Sequence, residues 1–179
     1  NQHLLNNMSL RDKVSQMFIF GFSGTQMNPE LKNRLKKLRP GGVVLFQRNI
    51  ISSRQTSQLN FDLQSTLNPD FHLPVLIMVD QEGGSVSRIK VTPYQPSALA
   101  LGMAQNYQLV RKMGQLTGRL LYILGFNMNL APVLDLSNPS VPSFISNRSF
   151  GSNPEEVKVL GGSFALGLID SSIIPTAKH

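Results

Sequence analysis

Residues 73–88 read LPVLIMVDQEGGSVSR, and the fold turns on how they are understood. Val75 to Val79 is an unbroken apolar run, rich in β-branched residues and led in by Pro74. It predicts a short strand buried on both faces. Asp80, Gln81 and Glu82 follow at once, Gly83-Gly84 turns the chain, and Arg88 comes soon after. Acids at the exit of a buried strand are costly unless they are bonded or used. In α/β proteins the strand exits are where ligands sit. The plainer alternative is that Asp80 or Glu82 ties down the following loop.

Working outward, the same pattern recurs. Upstream, MFIFGF (17–22) predicts strand one and VVLF (43–46) strand two, with Gln47, Arg48 and Asn49 at its exit. Downstream, FNMNLAPVL (126–134) predicts strand four with Asp135 at its exit. Ile173 to Ala177 predicts strand five, followed by Lys178-His179. Helices are expected between them. Ser9 and Asp12 have a capping-box spacing, and Leu10, Val14 and Met17 fall on one helical face. Asn28-Pro29-Glu30 opens a helix lined by Leu31, Leu35 and Leu38 and ended by Pro40-Gly41-Gly42. Ser52 or Ser53 caps a helix carrying Leu59 and Leu63, which Asn68-Pro69-Asp70 breaks. Pro93 to Pro96 marks a loop. A long helix follows over Tyr107 to Leu124 with Gly125 as its cap, and another runs from Asn153 to about Ile169. Asn1 to Asn7 is polar and expected to fray. Residues 137–151 form a long, proline-broken loop of the kind that usually carries function.

Uninterrupted strand–helix alternation implies a parallel sheet with right-handed crossovers. No G-x-G-x-x-G follows a strand, which argues against a dinucleotide fold. A closed (β/α)8 TIM-type barrel takes about 250 residues. Five strands in 179 residues therefore look like the first five βα units of such a barrel, a single incomplete domain over residues 1–179.

Composition narrows the function classes. The chain is 41% hydrophobic and 15% charged, and no apolar run nears the roughly 20 residues of a membrane span. There is no cysteine, so disulfides and thiolate metal sites are excluded. Residue 1 is Asn, so an upstream segment is expected to have been removed or omitted; residues 1–17 suit a mature exported form, and equally a cytoplasmic one with an extra helix. The net charge of +7 is concentrated in Lys32, Arg34, Lys36, Lys37 and Arg39. No aromatics interleave with them, so a solvated helix face is favoured over a nucleic-acid surface. His3, His72 and His179 lack metal-ligand spacing, and neither a G-x-S-x-G elbow nor a Walker loop occurs.

In a parallel barrel all strand exits share one face. Gln47, Arg48, Asn49, Asp80, Gln81, Glu82, Arg88, Asp135, Arg148, Lys178 and His179 would then form a polar bowl. Such a bowl suits a hydroxyl-rich ligand, because a carboxylate accepts from neighbouring hydroxyls while Arg and Lys donate. Simple pairing of Arg88 with Asp80, or of Arg148 with Asp135, is the plainer reading of each group alone.

The stretch Asp80-Gln81-Glu82-Gly83-Gly84, with Val86 and Arg88, resembles the D-Q-E-G-G-R-V-x-R signature of family 3 glycoside hydrolases, in its β-N-acetylhexosaminidase branch. PGGVVLFQRNI (40–50), NLAPVLDL (129–136), NRSFGSNPEEV (147–157) and AKH (177–179) resemble further segments of that family in the same order. Ser85 stands where the family has Arg, and Ser152-Asn153 replaces an acidic position. The resemblance implies a (β/α)8 barrel that removes terminal β-linked N-acetylglucosamine from glycans such as cell-wall fragments, without metal or organic cofactor. It implies substrate binding by Asp80, Arg88, Arg148, Lys178 and His179. It also implies retention through an Asp nucleophile and proton transfer by a His held by an Asp, both expected beyond His179, so that no catalytic group falls within the sequence. The alternative is a non-catalytic sugar-binding relative or an inactive fragment.

Overall fold

The structure, a computed structural model, describes residues 2–67, 74–138, 140–141 and 143–179, with side chains from residue 5 onward. The expected break at Asn68-Pro69-Asp70, and His72, lie outside the described residues. Two compact units are present, residues 1–78 and 79–179.

The first unit contains helices α1 (Gln2–Asn7), α2 (Leu10–Gln16), α3 (Pro29–Leu38) and α4 (Ser53–Thr66) and strands β1 (Ile19–Gly21), β2 (Gly42–Leu45) and β3 (Leu76–Val79). The last residue of β3 falls in the second unit. β1 and β2 run parallel, with Phe20 opposite Val43, and Leu76 N–H donates to the Gly41 carbonyl. The predicted caps form. Ser9 and Asp12 make a full capping box, Asn28 accepts from Leu31 N–H, and Ser52 accepts from Gln55 N–H. Each satisfies a helix-end donor that would otherwise be orphaned. Leu31, Leu35, Val43, Leu45, Leu59, Leu63 and Ile77 are buried.

Three details differ from the expectation. Residues 2–7 are helical rather than frayed, and Met8, just beyond them, is buried. Leu10 and Met17 are 78% and 83% exposed, so helical spacing placed an apolar face that is not buried among the described residues. Helix α3 stops at Arg39, which takes a left-handed conformation (φ 51°) ahead of Pro40.

The second unit contains β4 (Gln81–Gly83), β5 (Val86–Ser87), α5 (Ala98–Met103), α6 (Tyr107–Ile123), β6 (Met128–Asn129), α7 (Pro154–Ile169) and β7 (Ile174–Pro175). β6 and β7 pair in parallel, and Leu130 N–H donates to the Val79 carbonyl at the end of β3. Strand–helix–strand alternation with parallel pairing is the partial (β/α)8 arrangement predicted. Val110, Leu121, Phe126, Val133, Phe164, Leu168 and Ile173 are buried.

Here too local structure departs from the expectation. The double glycine does more than turn the chain, because β4 and β5 form an antiparallel hairpin with an irregularity between Gln81 and Gly83. Gly83 and Gly84 both have positive φ (98° and 56°), and a Cβ on Gly83 would collide with the Pro96 carbonyl. Helix α5, capped by Ser97, stands between the Pro93 to Pro96 loop and the long helix, where the sequence predicts no element. Strand four is interrupted: after Asn129 the ladder lapses at Pro132, which has no N–H to give, and resumes as a single bridge between Val133 and Lys178. The Thr92–Pro93, Ala131–Pro132 and Lys178–His179 peptides are cis.

Candidate functional site

β3 carries Asp80 to its exit, and strand alternation across 80–82 sends Asp80 and Glu82 to one side and Gln81 to the other. The hairpin returns Arg88 towards Asp80, with Arg88 Nη2 3.7 Å from Asp80 Oδ2. Lys178 is set by the bridge to Val133, and its main chain donates to Pro132 and accepts from Leu134. Its Nζ lies 2.7 Å from Asp80 Oδ1 and 2.6 Å from Glu82 Oε1. Arg148 arrives from the long loop and grips Glu82 with both prongs, Nε to Oε2 at 2.8 Å and Nη2 to Oε1 at 2.9 Å. The buried Ser149 hydroxyl fastens the end of that loop by donating to the Asp135 carbonyl at 2.6 Å.

His179 completes the cluster. Its Nδ1 is 2.6 Å from Asp135 Oδ2, and its Nε2 is 3.3 Å from Arg148 Nη2. A carboxylate only accepts, so Nδ1 carries the proton, and Nε2 then meets the arginine donor as an acceptor. A neutral imidazole satisfies both contacts. The hydrogen bond from His179 holds the Asp135 carboxyl below the usual carboxylate range against a smaller opposing effect of burial. The bonds to Glu82 push the Arg148 guanidinium further up. The Phe144 ring sits 6.0 Å from the Arg148 guanidinium carbon.

All five residues predicted to bind substrate are thus brought together in the second unit. The simple pairing of Arg148 with Asp135 does not occur, since Arg148 pairs with Glu82 and His179 takes Asp135. Arg88 does lie beside Asp80, though at 3.7 Å the contact is longer than a hydrogen bond.

The sequence reading left Glu82 out of the binding set. At 4% side-chain exposure it is the most buried charge of the cluster and the anchor of two cations. The signal was its two-residue offset from Asp80, which puts both acids on one side of a strand. It also missed Asn129, whose buried amide donates to the Gln81 carbonyl at 2.9 Å and accepts from the Gln81 N–H at 3.0 Å.

Asp80, Arg148 and Lys178 each keep 16% of their side-chain surface exposed. Their head groups retain lone pairs or N–H donors for a ligand carrying several hydroxyls. Beside them lies a cleft of about 210 Å³ lined by Leu134, Asp135, Ala177, Lys178 and His179. A larger cleft of about 500 Å³ in the first unit is lined by Phe20, Leu31, Leu35, Glu30 and Arg34, among others. Its charged pair is already closed on itself at 3.0 Å, and convergent chemistry is found in the smaller cleft. Gln47, Arg48 and Asn49 belong to the first unit, where Asn49 and Arg48 bond the main chain of a neighbouring loop. Among the described residues no group of three or more His, Asp or Glu side chains is placed to share a metal ion.

The profile of the glycosyl hydrolase family 3 N-terminal domain matches residues 9–179. The chain is 30% identical over 176 residues to the β-hexosaminidase LpqI of Mycobacterium tuberculosis, covering 96% of this chain and 43% of that protein. It is 34% identical over 168 residues to a β-hexosaminidase of Alkalilimnicola ehrlichii, covering 90% of this chain and 47% of the relative. Among solved structures, a glycoside hydrolase family 3 β-N-acetylglucosaminidase from Paenibacillus sp. str. FPU-7 superposes with a TM-score of 0.89 at 34% identity. That match covers 96% of this chain and 33% of the other. The chain thus spans less than half the length of these relatives.

Proposed function

The chain belongs to the glycosyl hydrolase family 3 N-terminal domain family, and from that premise we propose that the protein is a β-N-acetylhexosaminidase. On this reading it removes terminal β-linked N-acetylglucosamine from glycans, with peptidoglycan fragments as the substrate class, and with retention of configuration. The observation that carries the reading is the seating of Lys178 between Asp80 and Glu82, with Arg148 across Glu82 and His179 against Arg148. A terminal pyranose presents adjacent hydroxyls as both donors and acceptors, and this cluster offers both. Asp80 accepts from hydroxyls; Arg88, Arg148 and Lys178 donate to oxygens around the ring; His179 closes one wall. The reading assigns the nucleophile and the proton-transfer group to none of residues 1–179.

The test is release of a chromophore from an aryl β-N-acetylglucosaminide by the whole protein, compared with the matching aryl β-glucoside. The proposal expects turnover of the first and a strong preference for it over the second. Sugar binding without turnover would instead assign a non-catalytic binding protein.

A further inference from the structure

Arg88 is weakly held by its own side chain. Its Nε is buried without a hydrogen-bond partner among the described residues, and its nearest carboxylate oxygen is 3.7 Å away. The β4–β5 ladder cannot hold it either, because the pairing ends at Ser87. What does fix it is the next residue. Ile89 N–H donates to Gln81 Oε1 at 2.9 Å, and Gln81 Nε2 donates to the Ile89 carbonyl at 3.1 Å. The Gln81 side-chain amide thereby stands in for a strand residue and extends the ladder past its end.

Gln81 is itself pinned from every side. Its main-chain N–H and C=O are both taken by the Asn129 amide. The second proton of Nε2 goes to Gln95 Oε1, and Gln95 Nε2 donates to Thr117 Oγ1 on α6 at 2.7 Å. Gln81 has no exposed surface, and its side chain uses two donors and one acceptor. Only a neutral amide supplies that combination: Glu has no second donor, and Met has neither.

We propose that Gln81 is a positioning residue for sugar binding, holding Arg88 opposite Asp80 through the Ile89 main chain. The inference rests on the reading of Arg88 and Asp80 as sugar-binding groups. Gln81 lies on the far side of the strand from the cluster, away from the sugar-binding groups. Its effect runs through Arg88, and a displacement of about 1 Å in a binding group costs on the order of 100-fold in rate.

The experiment is a double-mutant cycle in the whole protein, read as kcat and KM for an aryl β-N-acetylglucosaminide. Gln81→Met and Gln81→Glu are each expected to lower kcat/KM about 30- to 100-fold. In an Arg88→Ala background the same changes are expected to cost under about threefold more, because the group they position is gone. Losses that persist undiminished in that background, or no loss from Gln81→Met, would overturn the inference. Should the Gln81 variants not fold, Gln95→Met removes one of the three bonds and leaves both to Ile89. It is expected to cost about three- to tenfold, again erased by Arg88→Ala; a neutral or Arg88-independent effect overturns the proposal. Arg88→Ala leaving kcat/KM unchanged would instead remove the sugar-site reading, whereas a costly Arg88→Ala beside a neutral Gln81→Met removes this inference alone.

Discussion

The exits of β2 and β3 carry similar residues and use them differently. After β2, Asn49 is fully buried, donates to the Phe22 and Gly24 carbonyls at 3.1 and 2.8 Å, and accepts from Phe46 N–H at 2.9 Å. Arg48 donates to the Phe22 carbonyl and lies 4.5 Å over the Phe46 ring. Polar side chains there meet main chain, and the result is a closed loop. After β3, side-chain charges meet side-chain charges carried in from the hairpin, the long loop and the strand after α7. A main-chain bond fully uses a short side chain. A charge cluster leaves each head group with spare donors or acceptors, which is what a ligand needs.

Four substitutions can break or sharpen that contrast. Glu82→Ala leaves Arg148 without its carboxylate partner and Lys178 with Asp80 alone, and breaking a buried pair from one side costs about 3–5 kcal/mol. Denaturant titration should show a loss of that size; a change under about 1 kcal/mol would mean that the cluster is not held by Glu82. Arg88→Ala should lower kcat/KM about 100-fold, since hydrogen bonds to charged groups contribute about 1.5–3 kcal/mol each. Asn49→Ala should lower stability by about 2 kcal/mol, from the three bonds the buried amide makes to the Phe22 and Gly24 carbonyls and the Phe46 N–H, while changing kcat/KM less than about threefold. A large kinetic effect there would place the β2 exit in the site and erase the contrast.

The smallest effect concerns a structural pair far along the chain. Arg111 grips Asp170 at 2.8 and 3.0 Å, and that bond, with a second from Gln115, brings the Asp170 carboxyl down to about 2. A depressed carboxylate stabilises the fold above its unfolded value of about 3.9, and the contribution is lost as pH falls through the folded value. Asp135, lowered by His179, follows the same sign. In Arg111→Ala the Asp170 midpoint, read by carboxyl NMR, should rise towards about 3.9 with activity unchanged. A midpoint that stays near 2 would assign the shift to Gln115 alone.

Much of the site was legible because its residues sit in short segments with fixed offsets from strand ends. Asp80 follows an apolar run, and Lys178-His179 follows another. Glu82 was harder, since no sequence offset says which cation an acid will meet; its two partners come from residues 148 and 178. Gln81 and Asn129 were hidden for a related reason. An amide serving as main-chain partner leaves no pattern of charge or hydrophobicity. The hairpin was missed because β5 is two residues long, too short for alternation to register. Helix α5 was missed because ALALGM is apolar all round and follows a proline-rich loop. Strand four was read too long because Pro132, inside an otherwise apolar run, removes a ladder donor.

The most direct test of the sugar site is calorimetric titration of N-acetylglucosamine into the whole protein and into Asp80→Ala. Asp80 lies between the hairpin arginine and Lys178, so its loss removes an acceptor and the carboxylate that both donors face. Saturable binding by the parent protein, weakened at least about tenfold in the variant, is the predicted result. Equal affinity in the two proteins would contradict the account, and would mean that the cluster at the strand exits is an ion-pair network with no part in holding the sugar.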